Sequence, residues 1–168
     1  MKKLSELTPE EFTLPPLHQA ARQRDLAALN ELLGQGHDPN ELDERHDNGD
    51  GGNAPLWYTA QGLPGEGVPI AERLIQAGAR VNEPGEHQMT ALHMACSWGH
   101  ADMVRCLCEN GADLALRDKW GRTVEALARA DYAEGQGTAI ENRPAGWDGW
   151  FNGIAAAVAY FDSLPVAR

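Results

Sequence analysis

The chain of 168 residues has no long apolar run. Nowhere do consecutive apolar residues approach the roughly 18 needed to cross a bilayer, so no membrane span is expected. Behind the two lysines of MKKLSELTPEEF there is no apolar stretch of about 7–15 residues, and no secretory leader is expected there. Cysteine is scarce too. The three thiols, Cys96, Cys106 and Cys108, are odd in number and crowded together, which is not a disulfide framework and fits a reducing cytoplasm. Positive charge is short: 14 Lys and Arg against 25 Asp and Glu give a net charge of −11. With the basic residues read as scattered singly, the clustered positive surface demanded by a phosphate backbone is missing, and nucleic acid is not an expected partner. A net-acidic protein instead steers basic proteins toward itself.

What the chain does have is internal self-similarity. PLHQAARQRD at 16–25 echoes ALHMACSWGH at 91–100, a third copy is APLWYTA at 54–60 followed by RLIQAGARVN at 73–82, and a fourth start is GRTVEALARA at 121–130. Thr90 to Thr123 is 33 residues, and so is Ala95 to Ala128. Each unit opens with a short helix whose small alanines let a neighbour approach closely. A second helix follows with apolar residues at helical spacing: Leu26, Leu29, Leu32 and Leu33, then Ile70, Leu74 and Ile75, then Met103, Val104, Leu107 and Cys108. Glycine stands after each, at Gly36, Gly78 and Gly111, where a left-handed helix end is wanted. One helix pair cannot bury both of its faces, so the pairs must stack into an all-α solenoid.

This pattern resembles the ankyrin repeat family, with its T-P-L-H-x-A-A opening and its L-L-x-x-G-A-D-x-N close. Here these read PLHQAA, APLWYTA, TALHMAC and GRTVEALA, then LLGQGHDPN, LIQAGARVN and LCENGADLA, over residues 14–130. The resemblance implies a single domain of about four helix-turn-helix repeats with β-turn fingers. An N-terminal cap helix at 1–13 is expected from the capping box Thr8-Pro9-Glu10-Glu11. Repeat one with an acidic inserted loop would occupy 14–52, repeat two 53–88, repeat three 89–121, and a divergent repeat four with an atypical C-terminal capping helix 122–168. In the last of these, DYAEGQGTAIENRPAG is expected as a loop, followed by a closing helix with Phe151, Ile154, Val158 and Phe161 on one stripe. The family histidine, His18 and His93 here, ties neighbouring loops by hydrogen bonds; Thr90 is the matching hydroxyl for His93, and Leu14 stands at that place in repeat one. Trp57 replaces the histidine in repeat two, which puts its loop-tying role in doubt.

The residues able to do chemistry read mostly as scaffold. His93, Cys96 and His100 fall at i, i+3 and i+7, but Gly99 should end the helix before His100, and Cys106 and Cys108 cannot point the same way from one helix. Cys96 and Cys108 take small and leucine positions of the repeat and are expected in the core. No general base is assigned to any thiol, so no catalysis is expected. The segment DERHDNGDGGN lacks acids and glycine in an EF-hand register. Neither metal nor cofactor is expected.

Carrying the family's variable positions over gives a protein-binding surface. Finger three supplies Glu86, His87 and Met89, with Ser97 and Trp98 at the end of its first helix. Finger four supplies Lys119, Trp120 and Arg122. Repeat one supplies Arg22 and Gln23, and repeat two Asp50, Asn53 and Tyr58. Trp98 and Trp120 are the main expected contacts, because tryptophan and arginine dominate binding hot spots. The resemblance thus implies a monomeric, non-catalytic module binding another protein on its concave face and fingers. Its net charge and acidic insertion point further to a cytoplasmic inhibitor or immunity-type protein acting on a basic toxin or enzyme. The alternative is a scaffold or stabilising subunit of a larger complex.

Overall fold

A computed structural model describes residues 14–43, 52–62, 65–137 and 144–165. Among them are eight α-helices and no strand, only an isolated bridge between Arg117 and Thr123. They are α1 (Pro16–Gln23), α2 (Leu26–Gly34), α3 (Pro55–Thr59), α4 (Val68–Gln76), α5 (Ala91–Ser97), α6 (Ala101–Glu109), α7 (Val124–Gly137) and α8 (Trp147–Ser163). The odd-numbered helices pack on one another in a row, α1 on α3, α3 on α5 and α5 on α7, and the even-numbered ones form a second row behind. The expected N-terminal cap helix lies outside the described residues, as does Asp50.

Leucines, alanines and thiols at the repeat positions make one continuous core, with Leu17, Leu29, Ile70, Leu74, Leu92 and Leu107 at its centre. Cys96 is fully buried, and desolvation pushes its thiol far above the ordinary range. Leu26, expected on the core stripe, is 40% exposed because it opens α2 at the end of the stack. Left-handed backbone closes the second helices at Gly36, Gly78 and Gly111, as their sequence positions require. The turn between paired helices is left-handed as well, at Gly99 (φ 70°) and at its counterpart Arg24 (φ 62°). The Arg24 guanidinium donates to the carbonyls of Ala21, Tyr58 and Gln61, which supports a conformation that a non-glycine residue rarely adopts.

Two hydrogen-bond ladders join successive repeats. In the first, His18 Nε2–H donates to the Asn53 carbonyl at 2.9 Å, and His93 Nε2–H donates to that of Arg122 at 3.4 Å. Trp57 does the same work between them: its indole N–H donates to the Met89 carbonyl at 3.2 Å. The tie doubted for repeat two is therefore present, with a larger ring. Room for that ring comes from Gly85, where a Cβ would meet Trp57 Cδ1 at 2.9 Å and Asn53 Oδ1 at 2.3 Å. The ladder stops at repeat four, whose equivalent residue is Ala126. In the second ladder, Asn40 bridges to Gly78 and Arg80, and Asn82 bridges to Gly111 and Asp113.

At the start of α5, Thr90 Oγ1–H donates to His93 Nδ1 at 2.9 Å, a reciprocal cap. In repeat one the cap position belongs to Pro15, not to Leu14, and it has no hydroxyl. His18 Nδ1 is consequently buried with no hydrogen-bond partner. Replacing Pro15 with threonine should supply one. We expect a gain of about 1 kcal/mol, after the lost proline rigidity is subtracted, seen as a melting-temperature rise of about 3 °C. An unchanged or lower value would show that the ring is not limited by this missing donor.

Histidine burial makes the fold acid-sensitive. Desolvation lowers the pKa values of His18, His93 and His100, and hydrogen bonds to the Asn53, Arg122 and Gly62 carbonyls offset this only in part. Their folded-state values lie below the unfolded value near 6.5, so the unfolded chain takes up more protons as pH falls. Stability is therefore complete above about pH 6.5 and is lost as pH falls below it toward the lower folded-state values. Urea titrations at pH 7.5 and pH 5.5 should differ accordingly; equal midpoints would refute the assignment.

The C-terminal third departs from expectation. Residues 131–137, read as loop, continue α7, and α8 packs on α6, on α7 and on the end of α5. Tertiary packing overrides the glycines here. The rings of Tyr132, Phe151 and Trp147 stack in sequence, with centroids 5.2 and 4.7 Å apart, and Gly135 leaves the space that Phe151 fills. Helix α8 thus takes the place of the second helix of repeat four, and its buried stripe is Trp147, Ile154, Ala157, Val158 and Phe161. At Gly153 its backbone lies directly on the Gly99 carbonyl.

Candidate functional site

The expected contact residues of repeats three and four separate into two groups at opposite ends of α5. At its N-terminal end, fingers three and four are joined into one unit. The Lys119 N–H donates to the His87 carbonyl at 2.9 Å, and Lys119 Nζ donates to His87 Nδ1 at 2.6 Å. An ammonium can only donate, so Nδ1 accepts and the ring carries its proton on Nε2, 3.7 Å from Glu86 Oε1. His87 and Gln88 both have left-handed backbone, with φ of 60° and 56°. Each costs about 1–2 kcal/mol relative to ordinary geometry, and the bend presents His87 to finger four.

Finger four is built around Asp118. Its carboxylate is 3% exposed and accepts from the Trp120 N–H at 3.0 Å, the Arg122 N–H at 2.9 Å and the Arg122 guanidinium at 2.8 Å. Burial pushes its pKa up, but these hydrogen bonds from Arg122 and Trp120 outweigh burial and hold the carboxyl below its usual range. The result is a rigid turn from which Trp120 projects, 56% exposed. Lys119 Nζ and the Arg122 guanidinium carbon each lie 4.8 Å from the Trp120 ring centroid, and the His87 ring meets it edge-on at 5.3 Å. Lys119, Trp120 and Arg122 are exposed, while Glu86, His87 and Met89 are half-buried, and the Met89 carbonyl is occupied by Trp57.

At the other end of α5, Trp98 is 46% exposed and lines a cavity of about 690 Å³. Its other walls include His100, Glu134, Gly135, Trp147 and Trp150. The Trp150 indole N–H donates to the Ser97 carbonyl at 2.9 Å and joins α8 to the end of α5. Ser97, expected to face a partner, is half-buried in this joint. Sequence reading missed the cavity because its walls come from the extended α7 and the start of α8. The only signal was the cluster WDGW.

Two of the expected contact residues are internal. Tyr58 is 1% exposed, because its hydroxyl donates to the carboxylate of Asp43, itself 3% exposed. Asn53 is 2% exposed, with its N–H on Asp43 and its Oδ1 accepting from the Glu86 N–H. Both hold the base of finger two. Arg22 and Gln23 are exposed at the end of α1, where Gln23 is the counterpart of Trp98. The basic residues are not all scattered singly, since Arg117, Lys119 and Arg122 fall within six residues. Among the described residues no group of three or more His, Cys, Asp or Glu is placed to hold a metal ion.

Comparison with known proteins agrees with this architecture. A family model described as ankyrin repeats (3 copies) matches residues 17–118. The human SH3 and multiple ankyrin repeat domains protein 2 is 33% identical over 108 residues, 64% of this chain and 5% of that protein. The E3 ubiquitin-protein ligase hecd-1 of Caenorhabditis elegans is 31% identical over 113 residues, 67% of this chain and 4% of that protein. Human ankyrin repeat and SOCS box protein 16 is 35% identical over 130 residues, 77% of this chain and 26% of that protein. The chain thus spans only a small part of each of these relatives. Among the described residues no helix is long and apolar enough to cross a membrane. With its helix pairs, loop-tying rings and matched repeats, the chain belongs to the ankyrin repeat family.

Proposed function

We propose that this protein is a monomeric, non-catalytic module that binds a partner protein through fingers three and four, with Trp120 as the central contact and Trp98, at the far end of α5, as a second one. Ankyrin repeats are protein-interaction modules. The observation that carries the proposal is Trp120 itself: a large apolar ring 56% exposed yet fixed by its neighbours, so binding it costs little ordering entropy. The finer reading is a cytoplasmic inhibitor or immunity-type protein that occludes a basic toxin or enzyme, supported by the net charge of −11.

The test is affinity capture from the native host by the intact chain and by the Trp98→Ala and Trp120→Ala variants. Each substitution should weaken capture of the same partner by about 2 kcal/mol, roughly thirtyfold, while the melting temperature stays within a few degrees. Capture that survives both substitutions would overturn the proposal. Loss of the partner's activity in the complex would support inhibition; full activity would favour a scaffold.

A further inference from the structure

We infer that finger four recognises an acidic segment of its partner, opposite in sign to what the protein's net charge leads one to expect. This rests on the finger being the binding surface proposed above. The sequence RDKWGR at 117–122 holds three of the chain's 14 basic residues and one acid. That acid, Asp118, is buried and fully engaged by Arg122 and the turn N–H groups. The two other cations have no carboxylate partner among the described residues: Lys119 Nζ donates to the neutral nitrogen of His87, and Arg117 Nη1 donates to the Gly121 carbonyl at 2.7 Å. Both side chains are exposed.

Neither of the nearby acids is hydrogen-bonded to Lys119 or Arg117. Glu86 faces His87, and Asp131 is half-buried in α7, where desolvation raises its pKa and Arg122 lowers it. The tip therefore presents Lys119 against an exposed indole and Arg117 on the Gly121 carbonyl next to it in the turn, both cations on uncharged acceptors. A carboxylate arriving there gains charge-assisted hydrogen bonds from Lys119 and Arg117, and an apolar side chain beside it finds Trp120. A basic segment would meet the like charges of Lys119 and Arg122 at the ring. The chain's acidic surplus, which lies elsewhere, repels an acidic segment over long range but is screened beyond about 8–10 Å at physiological salt. The contact is thus selective at the tip rather than steered from afar.

The experiment uses the full chain and three peptides, Ac-EEFEE-NH2, Ac-QQFQQ-NH2 and Ac-KKFKK-NH2, titrated while the indole N–H resonances are followed. The acidic peptide should shift the Trp120 indole saturably, about tenfold tighter than its glutamine counterpart, and ~0.5 M salt should abolish the difference. The Arg117→Glu/Lys119→Glu variant should lose that preference while resonances away from fingers three and four stay unmoved. Equal binding of the acidic and glutamine peptides, stronger binding of the lysine peptide, or no response of Trp120 would overturn the inference. With the natural partner the two claims separate. Loss of capture on Trp120→Ala together with full capture by Arg117→Glu/Lys119→Glu overturns the acidic segment and leaves the finger as interface; full capture by Trp120→Ala removes the interface itself.

Discussion

Gly153→Ala should unseat the C-terminal helix. A Cβ at position 153 would stand 1.7 Å from the Gly99 carbonyl oxygen, 2.6 Å from its carbon and 3.0 Å from its Cα. The obstacle is backbone, and Gly99 cannot easily yield, since it holds a left-handed φ of 70° and is itself pressed against the Trp150 carbonyl. The helix must retreat by about an ångström or more, which forfeits the Trp150–Ser97 hydrogen bond and loosens Ile154, Val158 and Phe161 from the core. We expect a loss of about 3–5 kcal/mol, a fall in melting temperature of about 10 °C or more. The control lies four residues earlier in the same helix: nothing is within 4 Å of a Cβ at Gly149. There the same substitution should stabilise by about 0.5–1 kcal/mol through helix propensity and unfolded-chain entropy. If both variants melt like the parent protein, α8 does not lie where it is described.

The second large effect concerns finger four. Asp118→Ala removes the acceptor of the Trp120 and Arg122 N–H groups and of the Arg122 guanidinium. An expected cost of about 2–4 kcal/mol combines the lost charge-assisted bonds with the donors left unsatisfied. Trp120 loses its fixed base, so capture of the partner should fall by an order of magnitude or more beyond any loss of folded protein. Asp118→Asn keeps an oxygen acceptor and should recover part of both. Acid probes the same contact: with its folded pKa held below the unfolded value of about 3.9, Asp118 contributes stability above that pH, and the contribution disappears as pH falls through the lower value. This window lies below the histidine-dependent one. An alanine variant with unchanged stability and binding would mean that the turn is held by its backbone alone.

How far each feature could be read from the residues follows from how local its cause is. Helix pairs, their glycine ends and the buried cysteines rest on spacing within one repeat, and periodicity exposes them. The ring ladder was legible at His18 and His93, but its continuation through Trp57 was not, because it depends on the vacancy at Gly85, 28 residues away. Tyr58 was misread for the same reason. Its burial depends on Asp43, from the preceding repeat, and a tyrosine beside a tryptophan in a variable position looks like a contact residue until that carboxylate is placed. In α7 the glycines of AEGQG signal a break, and only the aromatic stack from α8 explains why the helix runs on. The cavity beside Trp98 has walls from three repeats, so no window of sequence contains it.

The pairing of Trp57 with Gly85 also constrains the routes by which this sequence can change. A side chain at 85 and an indole at 57 compete for one volume, so the two substitutions are epistatic. The glycine must be in place before the tryptophan is tolerated, and it cannot revert afterwards while the tryptophan remains. A histidine at 57, as stands at the matching positions 18 and 93, would fit the same space because its ring is smaller. Moving position 57 back would still not free position 85, because a Cβ there would also meet the Asn53 side-chain oxygen, which is held by the Glu86 N–H.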